Sequence, residues 1–143
     1  MEVKFIMKRP ICADVHVSIK DAAKLMSQYK IGMIVITNDG KIEGVFTERD
    51  LVNSIAKGID LTKPAIEAAT KNVITINENE SIEKAAELMR KYRIRHLVVV
   101  NDAGEVVGVL SLRDLIDEDN CLKNLTIIST YEELESKELK ITS

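Results

Sequence analysis

Two short segments carry residue types from which a polar ligand site could be assembled: Gly44-Val45-Phe46-Thr47-Glu48-Arg49-Asp50 and Gly108-Val109-Leu110-Ser111-Leu112-Arg113-Asp114. Each sets a hydroxyl and, three residues later, a carboxylate around an arginine. Ser or Thr followed at the third position by Asp is first of all a capping box, in which hydroxyl and carboxylate satisfy backbone N–H groups at a helix start. A helix start also presents outward N–H donors suited to polar or anionic groups, so ligand binding is a second use of the same residues. The sequence by itself leaves both uses open. Arg49 and Arg113 can equally pair with neighbouring carboxylates, an exposed arrangement worth about 0 to 1 kcal/mol.

No motif points to catalysis or to a metal. There is no Walker-type glycine loop, no zinc-ligand spacing, and no nucleophile set beside a histidine by any motif. Cys12 and Cys121 are too few and too distant in sequence for a disulfide framework, and they read as free thiols. His16 has no partner motif and reads as structural. Residues that gather hydroxyls and anions without a base or metal cluster describe binding rather than reaction, so a non-enzyme is expected, with no catalytic residue, no metal and no required cofactor.

The elements that hold these segments come in two copies. When Ser18–Leu51 is aligned with Ser81–Leu115, allowing Ala103 as one extra residue, 17 of 34 positions are identical. Each copy reads as strand, helix, strand, strand, helix. The first helix opens at Ser18 or Ser81, both good N-caps, and puts Ile19, Ala22, Ala23, Met26 and Tyr29, or Ile82, Ala85, Ala86, Met89 and Tyr92, on one face. Strands over 31–37 and 42–46 are joined by Asn38-Asp39-Gly40, residues that tolerate the positive φ of a hairpin turn. Asn101-Asp102-Ala103-Gly104 is the longer counterpart. The strands Ile31 to Ile36 and Ile94 to Val100 hardly alternate in polarity, which implies burial on both faces. Helices of the same copy can cover one face and the sister copy the other, so the two copies are expected to form one unit. The connector from Val52 to Asn72 carries a helix end, a stop at Gly58 and a restart at Thr62-Lys63-Pro64.

With 45% apolar and 30% charged residues and a net charge of −3, the composition is that of a globular protein. The weakly acidic balance argues against nucleic acid as a partner. No apolar run approaches the roughly 20 residues of a membrane helix, and Glu2 and Lys4 do not fit a signal peptide. A cytoplasmic location without membrane contact is the expectation.

The paired segments, with Asn72-Val73-Ile74-Thr75-Ile76 and Arg93-Ile94-Arg95-His96-Leu97, resemble the CBS (cystathionine beta-synthase) domain, which occurs in tandem pairs. The resemblance covers about Val3 to Asp117. It implies an α/β (α+β) fold of two βαββα repeats related by a pseudo-two-fold, sheets packed together and helices outside. The expected division is residues 1–58, residues 59–118 and an extension over 119–143.

Such a pair implies a regulatory module in which each copy offers half of a cleft for AMP, ADP, ATP or S-adenosylmethionine. By resemblance, Asp50 and Asp114 accept from ribose hydroxyls, while Thr47 and Ser111 contact ribose or phosphate. Backbone at Thr75 and Ile76 reads adenine, and Arg95, His96, Arg49 and Arg113 take phosphate. Where the second copy has Thr75, the first offers Cys12 or Ala13 depending on the alignment, so the second cleft is expected to be the stronger. The output is expected in a partner protein or in self-association, with a homodimer formed through Leu51, Ile55, Leu115 and Ile116. A scaffold that binds no ligand is the alternative. In the extension, Leu125 to Ile128 reads as a short strand, with a helix starting at Tyr131.

Overall fold

The computed structural model of the protein describes residues 1–117. The expected strand and helix of the extension, and Cys121, lie outside the described residues. The described residues form two compact units: 9–74, and 1–8 together with 75–117. The sequence repeats thus exchange their flanks: the first eight residues pack with the second repeat, and residues 59–74 pack with the first.

In the Arg9–Ile74 unit, strand β1 (Cys12–Asp14) leads to helix α1 (Ile19–Tyr29), strands β2 (Met33–Asn38) and β3 (Lys41–Thr47), and helix α2 (Glu48–Ala56). The sheet order is β1-β2-β3, with β1 parallel and β3 antiparallel to β2. Helix α1 starts where the Ser18 hydroxyl accepts from the Asp21 N–H. Its Ile19, Ala22 and Met26, one helical face, pack with Ile34, Ile36, Phe46 and Ala65 as the core. Tyr29, expected on that face, is half exposed at the helix end. Asp39 and Gly40 both have positive φ (50° and 80°), the conformation a two-residue hairpin requires. Gly58 (φ 71°) follows the end of α2, and a 3-10 turn at Ala65–Glu67 follows Pro64.

The other unit repeats the plan with β4 (Thr75–Asn77), α3 (Ile82–Tyr92), β5 (His96–Val100), β6 (Val106–Ser111) and α4 (Leu112–Asp117). Its order is β4-β5-β6, with the same parallel and antiparallel pairings. Ser81 caps α3 through the Lys84 N–H, and Ile82, Ala85, Ala86 and Met89 are buried. Both sheets carry a register shift at the same place, between Ile36 and Thr37 and between Val99 and Val100. The unalternating strands are buried as their composition implies, Met33 to Ile36 and Leu97 to Val99 without interruption.

The segment preceding the first strand of each repeat adds one antiparallel bridge to the far edge of the other repeat's sheet. Thr70 pairs with Val45, and Lys8 pairs with Val109, each through two backbone hydrogen bonds of 2.9 to 3.0 Å. These close approaches account for the glycines of the repeated segments. A Cβ on Gly44 would stand 2.9 Å from the Thr70 carbonyl oxygen, and one on Gly108 would stand 2.5 Å from Met7 Sδ and 3.1 Å from the Lys8 carbonyl oxygen.

Of the apolar residues expected to form a dimer surface, Leu115 is instead buried, because its position on α4 turns inward. Ile55 (59% exposed) and Ile116 (48%) do face outward, and Val52 (63%), one turn before Ile55 on α2, joins them.

Candidate functional site

Residues directly opposite in a sheet share a face, so the register sorts the candidate residues. In the second unit, Thr75, Val98, Val109 and Lys8 form one row across the sheet, and His96 with Ser111 forms the next row on the same face. Ile76 pairs with Val99 on the opposite face and is buried, so only its backbone is available to a ligand.

The corresponding row of the first unit is Cys12, Val35, Val45 and Thr70, with Met33 opposite Thr47 in the next. The register therefore makes Cys12 the counterpart of Thr75, and Ala13 the counterpart of Ile76. Cys12 is a free thiol at the sheet edge, and partial desolvation pushes its pKa up, away from the reactive thiolate.

Both capping boxes form. The Thr47 N–H donates to Asp50 Oδ2 at 2.9 Å and the Asp50 N–H donates to Thr47 Oγ1 at 3.2 Å. The Ser111 N–H donates to Asp114 Oδ2 at 2.8 Å and the Asp114 N–H donates to Ser111 Oγ at 3.1 Å. The second oxygen of each carboxylate has a different neighbour. The Thr70 hydroxyl donates to both oxygens of Asp50, at 3.2 and 3.3 Å. Asp114 Oδ1 faces the Lys8 ammonium at 4.0 Å, beyond hydrogen-bond length; the Asp114 side chain is 10% exposed and that of Lys8 is 67% exposed. Asp114 and Lys8 also line an open concavity of about 270 Å³ with Phe5, Ile6, Met7 and Asp117.

Arg95 is exposed and adjoins half-buried His96 where β5 begins, and its carbonyl accepts from the Leu112 N–H at 2.8 Å, which fixes α4 against that strand. Arg49 and Arg113 are exposed on α2 and α4. The second unit thus gathers Ser111 and Asp114 at one corner of the sheet, with His96 opposite Ser111 and Arg95 next in sequence, while Thr75 lies at the far edge of the same face. Sequence reasoning missed Lys8 and Thr70. Neither belongs to the repeated segments, and only the edge bridges bring them to the carboxylates.

The family model for the CBS domain matches residues 3–57 and 65–120, and the chain belongs to that family as a tandem pair. Among solved structures it is similar to a CBS domain protein of Pyrobaculum aerophilum complexed with AMP, with 35% identity, a TM-score of 0.82, and coverage of 88% of this chain and 98% of that one. It is also similar to the CBS domain pair of protein MJ0100 in complex with 5′-methylthioadenosine and S-adenosyl-L-methionine, with 35% identity, a TM-score of 0.75, and coverage of 81% and 93%. Among curated relatives, inosine-5′-monophosphate dehydrogenase of Aquifex aeolicus is 34% identical over 109 residues, which are 75% of this chain and 22% of that protein. The chain therefore spans about a fifth of that enzyme's length.

Proposed function

We propose that the chain is a regulatory module that binds an adenosine nucleotide, AMP, ADP or ATP, or S-adenosylmethionine, and carries no catalytic step of its own. The observation that carries this reading is the carboxylate of Asp114. It is held by the capping box through Oδ2, while its Oδ1 faces an ammonium at 4.0 Å, beyond hydrogen-bond length. A fixed carboxylate oxygen is a good acceptor for ribose hydroxyls. Ser111, Arg95 and His96 stand at the same corner for the phosphate, Arg113 lies on the following helix, and the backbone of Thr75 and Ile76 serves adenine. The AMP and S-adenosylmethionine complexes of the similar structures support the ligand class.

Titration of the purified protein with AMP, ADP, ATP and S-adenosylmethionine tests the reading. A ligand at 100 times its dissociation constant stabilises the fold by about 2.7 kcal/mol. Unchanged melting with every one of these ligands at millimolar concentration would remove it.

A second reading, self-association, is favoured by the outward Val52, Ile55 and Ile116. We infer a homodimer that passes the ligand signal to a partner protein in the cytoplasm. No helix among the described residues is long and apolar enough to cross a membrane. Sedimentation that shows only a 16.0 kDa species, with and without nucleotide, would overturn the dimer.

A further inference from the structure

Lys8 is the residue at the candidate site for which neither the repeated segments nor the capping geometry gives a reason. It is held in place by its backbone: Lys8 N–H donates to the Val109 carbonyl at 2.9 Å and Val109 N–H donates back at 3.0 Å. This two-bond bridge fixes the start of the side chain beside β6, while the side chain itself remains two-thirds exposed and points its ammonium toward Asp114 Oδ1. The concavity that Lys8 and Asp114 share is lined by two carboxylates, half-buried Asp114 and exposed Asp117, and by one cation, Lys8.

The equivalent position in the first unit is Thr70, bonded in the same way to Val45, and a hydroxyl there donates to Asp50 without adding charge. One backbone position therefore supplies a neutral donor in one unit and an exposed cation in the other.

We propose that Lys8 makes the Asp114 site selective for ligands with an anionic group on the ribose, that is, for nucleoside phosphates over uncharged nucleosides. The proposal deepens the nucleotide-binding reading and rests on it. Lys8 balances the carboxylate loosely across 4.0 Å. A ribose that donates its hydroxyls to Asp114 Oδ1 takes over that oxygen. The 5′-phosphate is joined to the same sugar by one carbon and one oxygen, so it comes within the sweep of the long lysine side chain, and the ammonium moves from carboxylate to phosphate. An uncharged nucleoside offers no such replacement and must displace Lys8 without compensation. It therefore binds more weakly.

The test is calorimetric titration of the full chain with AMP and with adenosine, for wild type, Lys8→Met and Lys8→Thr. The methionine keeps the unbranched stem, the threonine reproduces the Thr70 arrangement, and melting curves verify folding. Lys8→Met is expected to weaken AMP about five- to tenfold, the equivalent of a partly exposed charge pair. Adenosine affinity is expected to stay unchanged or to rise, since Asp114 loses a competitor for its Oδ1. The AMP preference of wild type should shrink with added salt.

Equal losses for both ligands would show that Lys8 only supports the fold of the site and would overturn the proposal, as would AMP affinity that survives in both variants. Wild type that binds neither ligand would remove the nucleotide-binding reading itself, and the inference with it.

Discussion

The two units share one backbone plan and differ in what stands beside the motif carboxylate. At Asp50 the capping box and the Thr70 hydroxyl together occupy both oxygens with neutral donors. At Asp114 the capping box takes one oxygen and leaves the other to a lysine at 4.0 Å. The next row differs in the same sense: Met33, 3% exposed, lies opposite Thr47, while half-buried His96 lies opposite Ser111. Duplication preserved the parts that fold the chain, and substitution at flanking positions separated a closed carboxylate from one with acceptor capacity to spare. The same Asp is thus chiefly structural in the first unit, and in the second we propose that it is both structural and ligand-binding.

The strongest way to break this comparison is to remove the charge from each carboxylate in turn. In Asp114→Asn the amide oxygen preserves a capping acceptor, while a charge-assisted hydrogen bond worth about 1.5 to 3 kcal/mol is lost, so nucleotide affinity should fall about 10- to 150-fold. The accompanying stability loss should not exceed about 1 kcal/mol. Asp50→Asn should reverse the pattern, with a smaller effect on total binding and a measurable drop in melting temperature. Calorimetry beside a melting curve reads both. Equal affinity losses would make the units functionally alike.

The glycines offer a second, smaller contrast. Gly44→Ala drives a Cβ against a backbone carbonyl, which can yield only if the bridge to Thr70 opens. Gly108→Ala meets mainly the flexible end of Met7, which can turn aside. Both should destabilise by about 1 to 3 kcal/mol, with Gly44→Ala the more costly. Urea unfolding that ranks them in the opposite order would show that the edge bridge at Lys8 is the more rigid one.

A third contrast concerns the flanking residues themselves. Thr70→Val removes a hydroxyl that donates to Asp50 and should cost about 1 kcal/mol. Lys8→Met removes an exposed charge at 4.0 Å and should cost less than that in stability, its effect being reserved for ligand affinity. Chemical denaturation of the two variants checks the order.

Much of this is legible in the sequence, because the information is local. Ser18 and Ser81 announce helix starts, Asn38-Asp39-Gly40 announces a turn, and the capping boxes read directly as Thr47…Asp50 and Ser111…Asp114. Helix ends were less visible. Both α1 and α3 stop at a left-handed residue, Lys30 (φ 54°) and Arg93 (φ 55°), where no glycine marks the stop. The exchange of flanks was hidden for another reason. It depends on backbone bonds from Thr70 to Val45 and from Lys8 to Val109, and such bonds leave no side-chain pattern. The choice between Cys12 and Ala13 is likewise ambiguous by spacing alone, because the chain from Lys8 to β1 is one residue shorter than the chain from Thr70 to β4, and only the pairing register decides it. Leu115 reads as surface in the sequence but is buried, because its position on α4 depends on how that helix turns against the sheet.

The smallest difference lies at the turn after the first strand of each unit. Asp14 Oδ1 accepts from the His16 N–H at 3.0 Å, and Asn77 Oδ1 accepts from the Asn79 N–H at 2.9 Å. The turns match, but only one can titrate. The backbone donor at His16, with the imidazole as a further partner, holds the Asp14 carboxyl below its ordinary pKa. A carboxyl whose folded pKa lies below its unfolded value stabilises the fold above the unfolded pKa, near 3.9. That contribution is lost as the pH falls through the folded value. Asp14→Asn should therefore melt slightly below wild type at pH 6, and the gap should close as the pH falls below about 4. Because Asp14 is exposed, solvent screening keeps the difference small, and it is best read as paired melting temperatures of the two proteins at each pH. A gap that holds constant down to the acid limit would mean that the first unit's turn, like the one at Asn77, is supported by geometry alone.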